Sequence, residues 1–556
     1  MKLASLLLSA ALLIAPPALL AAEPRFDSAT ARAQYHAMVG ELAALRDQPA
    51  LAASEFLKAL DEVPDPGLAM RAAALSLAAH DEPLARRATR RWMQLDPSSA
   101  DAREASARLA LRAGDRGETL QLCEAIVRAR APALDEGFRA VAILLSQESE
   151  HRDDALAVME QLRRKWPDSA AALHSQGMLA MRFNDLALAE KAARDALKIT
   201  PDARDTQLLL AAVMVRQNRL ADADAVMAAL LKGSKEPAEL RMAYARLLLE
   251  ADHPVEARRQ FEAVLAAKSD SAEARYAAAL VAVQQEDYAA AETHLKKLLG
   301  HELLGQAAAF YLGRVAEARK QPQQAMDWYA QVTRGDLAID AVVRRARLLA
   351  KSGKLDEGRS AMQQLREQIP QLAPRFYLAE AEMLVDANRL PEALQLYQRA
   401  LAERPDDPEL LYGLSLVHDR MGQGDAAEAD LRRILKGNPD DSRALNALGY
   451  MITEHGSRYD EARKLIARAL ELTPDDAAVI DSMGWVEYQL GHLQDARTLL
   501  EKAFGKARDP EIAAHLGEVL WRLGDQGAAR TLWQDALKRD PEHKVLRQTV
   551  ERLDRK

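Results

Sequence analysis

An all-α solenoid of about fifteen stacked helix–turn–helix units is the fold class that the sequence predicts, and three observations predict it. Small residues recur in a fixed pattern: Gly517, Ala529, Ala536 and Pro541 close the chain, with Gly484, Ala496 and Ala503 one period before them and Gly449, Ala462, Ala469 and Pro474 before those. Hydrophobic residues make up 49% of the chain but aromatic residues only 5%, so the core is built from Ala and Leu rather than large rings. Glycine and proline punctuate instead of accumulating, and no segment alternates with the period of a half-buried strand.

Each position has a physical reason. The first helix of a hairpin carries a small residue where the second helix crosses it, because a larger side chain would push the two apart. The second alanine lets the second helix nest against the next hairpin, and the proline ends that helix because it cannot donate to the helical ladder. Bulky residues such as Leu516, Leu520 and Trp533 fill the layers between. The pairs Asp406-Asp407, Asp440-Asp441 and Asp475-Asp476 follow prolines and suit the start of the next helix. Leu490-Gly491-His492 and Leu523-Gly524-Asp525 read as tight turns between paired helices.

In chain order the units begin with Gly40, Ala52, Ala59 and Pro64, followed by Ala73, Ala85 and Pro97. The copy around Ala107 is poor, with Thr119 at the alanine position, and Ala155 with Pro167 marks the next. Gly177, Ala189, Ala196 and Pro201 form a full match. The twelve-residue step then persists through Ala211 and Ala223, Ala245 and Ala257, Ala278 and Ala290, and Gly313 and Ala325. Ala346 and Pro370 frame a weaker copy with Gly358 at the packing position. Ala381, Ala393, Ala400 and Pro405, then Ser415, Ala427 and Pro439, lead into the three C-terminal copies. An extra residue between Thr453 and Arg458 predicts a bulged turn. The reading is thus one continuous repeat array over residues 23–541, with a charged capping helix over 542–556.

These spacings resemble the tetratricopeptide repeat (TPR) signature, and the resemblance implies a right-handed superhelix with a concave channel. The length of 556 residues then reflects repeat number rather than several compact domains. A net charge of −8 supplies no global basic field, so nucleic acid is not expected as a partner. Arg86-Arg87, Arg90-Arg91 and Arg344-Arg345 read as solvated helix faces.

Residues 1–22 have the layout of a secretory signal peptide: Met1-Lys2, an apolar run over residues 3–14, Pro16-Pro17, and the small pair Ala21-Ala22. Cleavage after Ala22 would release a periplasmic protein, whereas retention would leave a membrane anchor. Leu20-Ala21-Ala22 resembles the start of a bacterial lipoprotein signal, but Glu23 stands where the lipidated cysteine belongs, which speaks against outer-membrane anchoring. The sole cysteine, Cys123, lies among Leu120, Leu122 and Ile126 and reads as a small core residue.

No motif with catalytic mechanics occurs: there is no metalloprotease helix, nucleophile elbow, phosphate loop or paired-cysteine motif. The twelve histidines, among them His151, His174, His253, His294, His418 and His515, are scattered singly and read as helix-surface residues. Neither an enzyme nor a cofactor or metal site is expected.

The segments Asn446-Ala447-Leu448-Gly449-Tyr450, residues 481–488 (Asp481 through Tyr488, with Gly484 and Trp485) and residues 515–521 (His515 through Trp521) resemble the C-terminal repeats of a proteobacterial family of exported TPR proteins. Its best-known kind is an outer-membrane lipoprotein that serves as adaptor for a periplasmic carboxyl-terminal processing protease. The resemblance implies a non-catalytic scaffold that holds the protease and presents substrates, including enzymes that cut peptidoglycan crosslinks. A general scaffold for envelope secretion or polysaccharide-export machinery is the alternative that the sequence leaves open. Applied to the last repeats, the TPR register assigns Tyr412, Asn446, Tyr450, Asp481, Trp485, Tyr488, Glu518 and Trp521 to a protein-binding groove. The same rings could instead fill gaps between repeats, because Glu487 occupies a normally apolar position.

Overall fold

The computed structural model describes residues 26–456 and 458–554. The expected signal peptide at residues 1–22, with Glu23, lies outside the described residues. Among those described, the regular structure is 31 α-helices and two short 3₁₀ turns, without strands. The helices run in tandem as fifteen hairpins, from Ala29–Leu45 paired with Pro49–Glu62 to Pro510–Arg522 paired with Gln526–Arg539, and end with the single helix Lys544–Leu553. The expected all-α repeat is therefore what the chain forms. The chain divides into two compact units, one ending at Ala274 and the next beginning at Arg275.

In the first unit, Ser28, Asp65, Asp81, Ser99, Asp115, Ser169 and Asp185 cap helix N-termini with their side chains. One core runs from Ala107 through Cys123, Phe138 and Met159 to Phe183. Cys123 is fully buried there, and burial pushes its thiol up to about 12, so it is a core residue. Thr119 is also fully buried, yet its hydroxyl donates to the Asp115 carbonyl at 2.7 Å, which is how threonine replaces alanine without leaving a buried polar group unpaired.

In the second unit, the later aspartate of each pair does the capping: Asp407, Asp441 and Asp476 accept from the first-turn amides. The small residues sit where the helices touch. A Cβ added to Gly484 would lie 2.7 Å from Leu500 Cγ, and one added to Gly517 would lie 2.0 Å from Trp533 Nε1. Ala496, Ala503 and Ala529 are fully buried. Gly491 and Gly524 adopt φ of +86° and +92°, the left-handed conformation that a tight helix–helix turn needs. The extra residue near Thr453 lengthens helix Ser442–His455 by one residue, and Gly456, with φ of +81°, ends it.

The histidine expectation needs correction. His36, His294 and His515 are buried, and His418 is largely covered and paired with Asp430 at 2.7 Å. Isolated spacing in sequence missed this because the rings of His36, His418 and His515 each meet a partner from a different helix, at separations of 19, 12 and 34 residues.

Candidate functional site

In the second unit a concave cavity of about 530 Å³ is lined mainly by the first helices of three consecutive hairpins, Pro408–Arg420, Ser442–His455 and Ala477–Gln489, with Leu431 from a second helix and Glu511 from the fourth hairpin. Four of the eight sequence-assigned groove residues line it: Tyr412, Asn446, Tyr450 and Asp481. They meet because the repeat returns equivalent positions of successive first helices to one face. Asn446 Oδ1 is shielded from solvent without a hydrogen-bond partner. Such an atom invites a donor, since leaving it unpaired costs about 1–3 kcal/mol. The Arg443 guanidinium stacks over the Tyr412 ring at 4.3 Å while donating to both carboxylate oxygens of Glu409 at 2.9 and 2.5 Å. The lining is otherwise acidic: Asp419, Glu454, Asp476, Asp481 and Glu511 face it against the single cation Arg443.

The other four assigned residues do not line the cavity: Trp485, Tyr488 and Glu518 tie hairpins together, and Trp521 packs inside its own hairpin. Trp485 is only 7% exposed, donates from Nε1 to Glu454 at 2.6 Å, and stacks on His515 with centroids 4.2 Å apart. Tyr488 stacks on Trp485 and donates to Glu518 at 3.0 Å. Glu518 is buried and receives Arg552 from the last helix at 2.9 and 2.5 Å. Trp521 packs against Trp533 at 5.6 Å, with Arg530 over its ring. The apolar position taken by Glu487 is accommodated: its carboxylate receives Arg463 Nε at 2.6 Å and meets His492 Nδ1 at 2.6 Å. Burial works against this carboxylate, but those two partners outweigh it and hold it below the usual range.

Beneath the cavity wall lies a buried ion pair. His515 Nδ1 lies 3.0 and 3.1 Å from the two Asp481 oxygens. Burial alone would lower the imidazole, yet the Asp481 carboxylate, with Glu511 and Glu454 beyond it, raises it above its ordinary value. Tyr450 donates to Glu511 at 2.9 Å, so the residues of the wall are fixed by polar contacts between hairpins.

Arg443, Asp419, Glu454 and Glu511 are lining residues that sequence reasoning missed. Arg443 carried a usable signal, one helical turn before Asn446. Glu511 carried none, because it reaches Tyr450 across 61 residues. Among the described residues, Glu487, His492 and Asp495 bring possible metal-ligand atoms within 4.8 Å of one another. Arg463 and the Glu487–His492 contact already occupy both Glu487 oxygens, so this arrangement is explained as an ion pair. No described helix is long and apolar enough to cross a membrane.

Comparison with known proteins matches this architecture. The chain is 34% identical over 247 residues to the TPR repeat-containing protein PA4667 of Pseudomonas aeruginosa, a match that covers 44% of this chain and 42% of that protein. It is 30% identical over 147 residues to the protein CTR9 homolog of Arabidopsis thaliana, covering 25% of this chain and 13% of that protein. The chain thus spans less than half the length of the curated relatives it matches. Among solved structures, yeast Tom70 aligns with 93% of this chain and 99% of its own, at 15% identity and a TM-score of 0.39. Matches to the tetratricopeptide repeat family cover residues 144–204, 242–297, 276–338, 343–408 and 482–544, with a further match at 384–449. These segments make up more than half of the chain, and its recurring helical hairpins follow them through both units: the chain belongs to the tetratricopeptide repeat family.

Proposed function

We propose that this protein is a non-catalytic adaptor of the cell envelope that captures a periplasmic carboxyl-terminal processing protease, or the substrates presented to it, through the cavity of the second unit. TPR proteins as a family mediate protein–protein interaction, and that coarser role follows from family membership. The observation that carries the finer reading is the cavity itself: Tyr412 and Tyr450 offer rings, Asn446 Oδ1 is unpaired, and carboxylates outnumber cations. Rings beside unmet polar groups are what binding hot spots are made of. An acidic lining suits a partner segment bearing lysine, arginine or free amide donors.

The test uses the full-length chain and the purified protease. Tyr412→Ala combined with Asn446→Ala is expected to weaken the complex by about tenfold or more, with helical content unchanged. Absence of a complex between the wild-type chain and the protease would sink this reading and favour an assembly scaffold for secretion or polysaccharide export. The proposal also includes export, argued from the leader at residues 1–22. N-terminal sequencing of the mature protein is expected to begin at Glu23. An intact Met1, or release from the envelope only by detergent, would mean that the leader is kept as an anchor.

A further inference from the structure

We propose that a groove in the first unit binds an acidic, partly apolar segment of a partner protein through a row of arginines on successive first helices. The groove encloses about 830 Å³. It is lined by the first helices of four consecutive hairpins: Leu134–Ser146, Ala170–Arg182, Arg204–Arg216 and Pro237–Glu250. Each helix contributes one exposed arginine, in order Arg139, Arg182, Arg216 and Arg246.

Three of these four are not neutralised by a carboxylate, and all four face one groove. Many other arginines of this unit are held by carboxylates, as Arg128 is by Glu124, Arg163 by Glu160 and Arg194 by Glu190. Among the described residues, Arg139 and Arg182 meet no carboxylate. Arg216 donates only to neutral oxygens, the Met181 carbonyl and Asn184 Oδ1, each at 3.1 Å. Arg246 alone has an acidic partner, Glu273 at 2.5 Å. Two acids, Asp205 and Glu250, share the lining, so cations remain in excess. This is the reverse of the second unit's cavity, and the two readings stand independently.

Between the arginines lie apolar side chains: Ile143, which is 50% exposed, with Met178, Leu208 and Leu247. No phenylalanine, tyrosine or tryptophan lines the groove, so the stacking platform on which single-stranded nucleic acid relies is missing. Guanidinium groups alternating with methionine and aliphatic surface instead match a peptide that alternates carboxylates with apolar residues. Arg182 and Arg216 end equivalent helices. Packed neighbouring helices lie about 8–10 Å apart. In an extended polyproline-like segment, residues three apart share a face at a separation of about 9 Å. The segment that fits this pair therefore carries two acidic residues three positions apart.

The test is fluorescence anisotropy of the full chain with a short labelled peptide having glutamate at every third position between leucine and proline. The lysine version of the same peptide and an oligothymidylate serve as comparisons. Expected is micromolar binding of the glutamate peptide that weakens as salt is raised. Arg139→Glu with Arg182→Glu should weaken it by about tenfold or more and gain the lysine peptide, a swap that misfolding cannot imitate. If that variant loses helical content, Arg139→Gln with Arg182→Gln should still weaken the glutamate peptide. Tyr412→Ala with Asn446→Ala should leave it bound, which separates this groove from the other cavity. Failure of the wild-type chain to bind, unchanged affinity in the folded variants, or tighter binding of the oligothymidylate would each overturn the proposal.

Discussion

At His515 two effects oppose each other. Removing a charged imidazolium from water is costly, but Asp481 at 3.0 Å makes the charged form the favoured one, so its pKa is raised. Because the folded value lies above the unfolded value of about 6.5, the stability this pair contributes is complete below that pH and is lost as pH rises through the folded value. Trp485, stacked on the ring, should report the change: its emission is expected to titrate at alkaline displacement from pH 6.5, and His515→Gln should abolish the transition. A titration unchanged in His515→Gln would assign it to another group. Trp485 also shows the difference between lining a cavity and supporting it. Trp485→Ala is expected to lower stability by about 3–5 kcal/mol, as for other buried rings, measured by denaturant unfolding. Tyr412→Ala and Asn446→Ala should cost less than that, because both residues are only partly buried.

Helical hairpins were the most legible part of the sequence, since glycine and alanine mark the crossing and aspartate marks the start. Gly517 faces Trp533 so closely that Gly517→Ala is expected to destabilise by about 1–3 kcal/mol through overpacking, and Ala529→Leu by at least as much. Thermal unfolding would measure both, and unchanged melting would show that the second helix can move aside. Asp476→Ala removes a cap accepting from Ala478 and Val479 and is expected to cost about 1 kcal/mol. The site was half legible for a related reason. A position within a first helix predicts which way Tyr412, Asn446, Tyr450 and Asp481 point. It says nothing of what the next hairpin brings, and His515 and Arg552 are what convert Trp485 and Glu518 into ties between repeats.

Across the chain, buried residues fall into successive local cores, such as Phe56 through Ala88 and Ala107 through Phe183 in the first unit and Ala496 through Leu546 in the second. Stability should then be close to a sum over neighbouring hairpins. Hydrogen exchange is expected to show this directly: Ala529→Leu should speed amide exchange over residues 493–553 and leave residues 134–182 as in the wild type. Uniform acceleration over both segments would mean that the molecule unfolds as one cooperative body.

The contact between glycine and a bulky residue has a consequence for descent. Gly40 with Phe56, Gly313 with Tyr329, and Gly517 with Trp533 each stand sixteen positions apart, inside a single hairpin. A gene segment copied in tandem would therefore bring both halves of its tightest fit with it, whatever its new neighbours. Polar ties such as Asp481 to His515 cross from one hairpin to the next and would have to be found again after each copying. Lengthening such a chain is easy for folding and disruptive for binding, so new copies arrive as sound architecture with surfaces still free to acquire a partner.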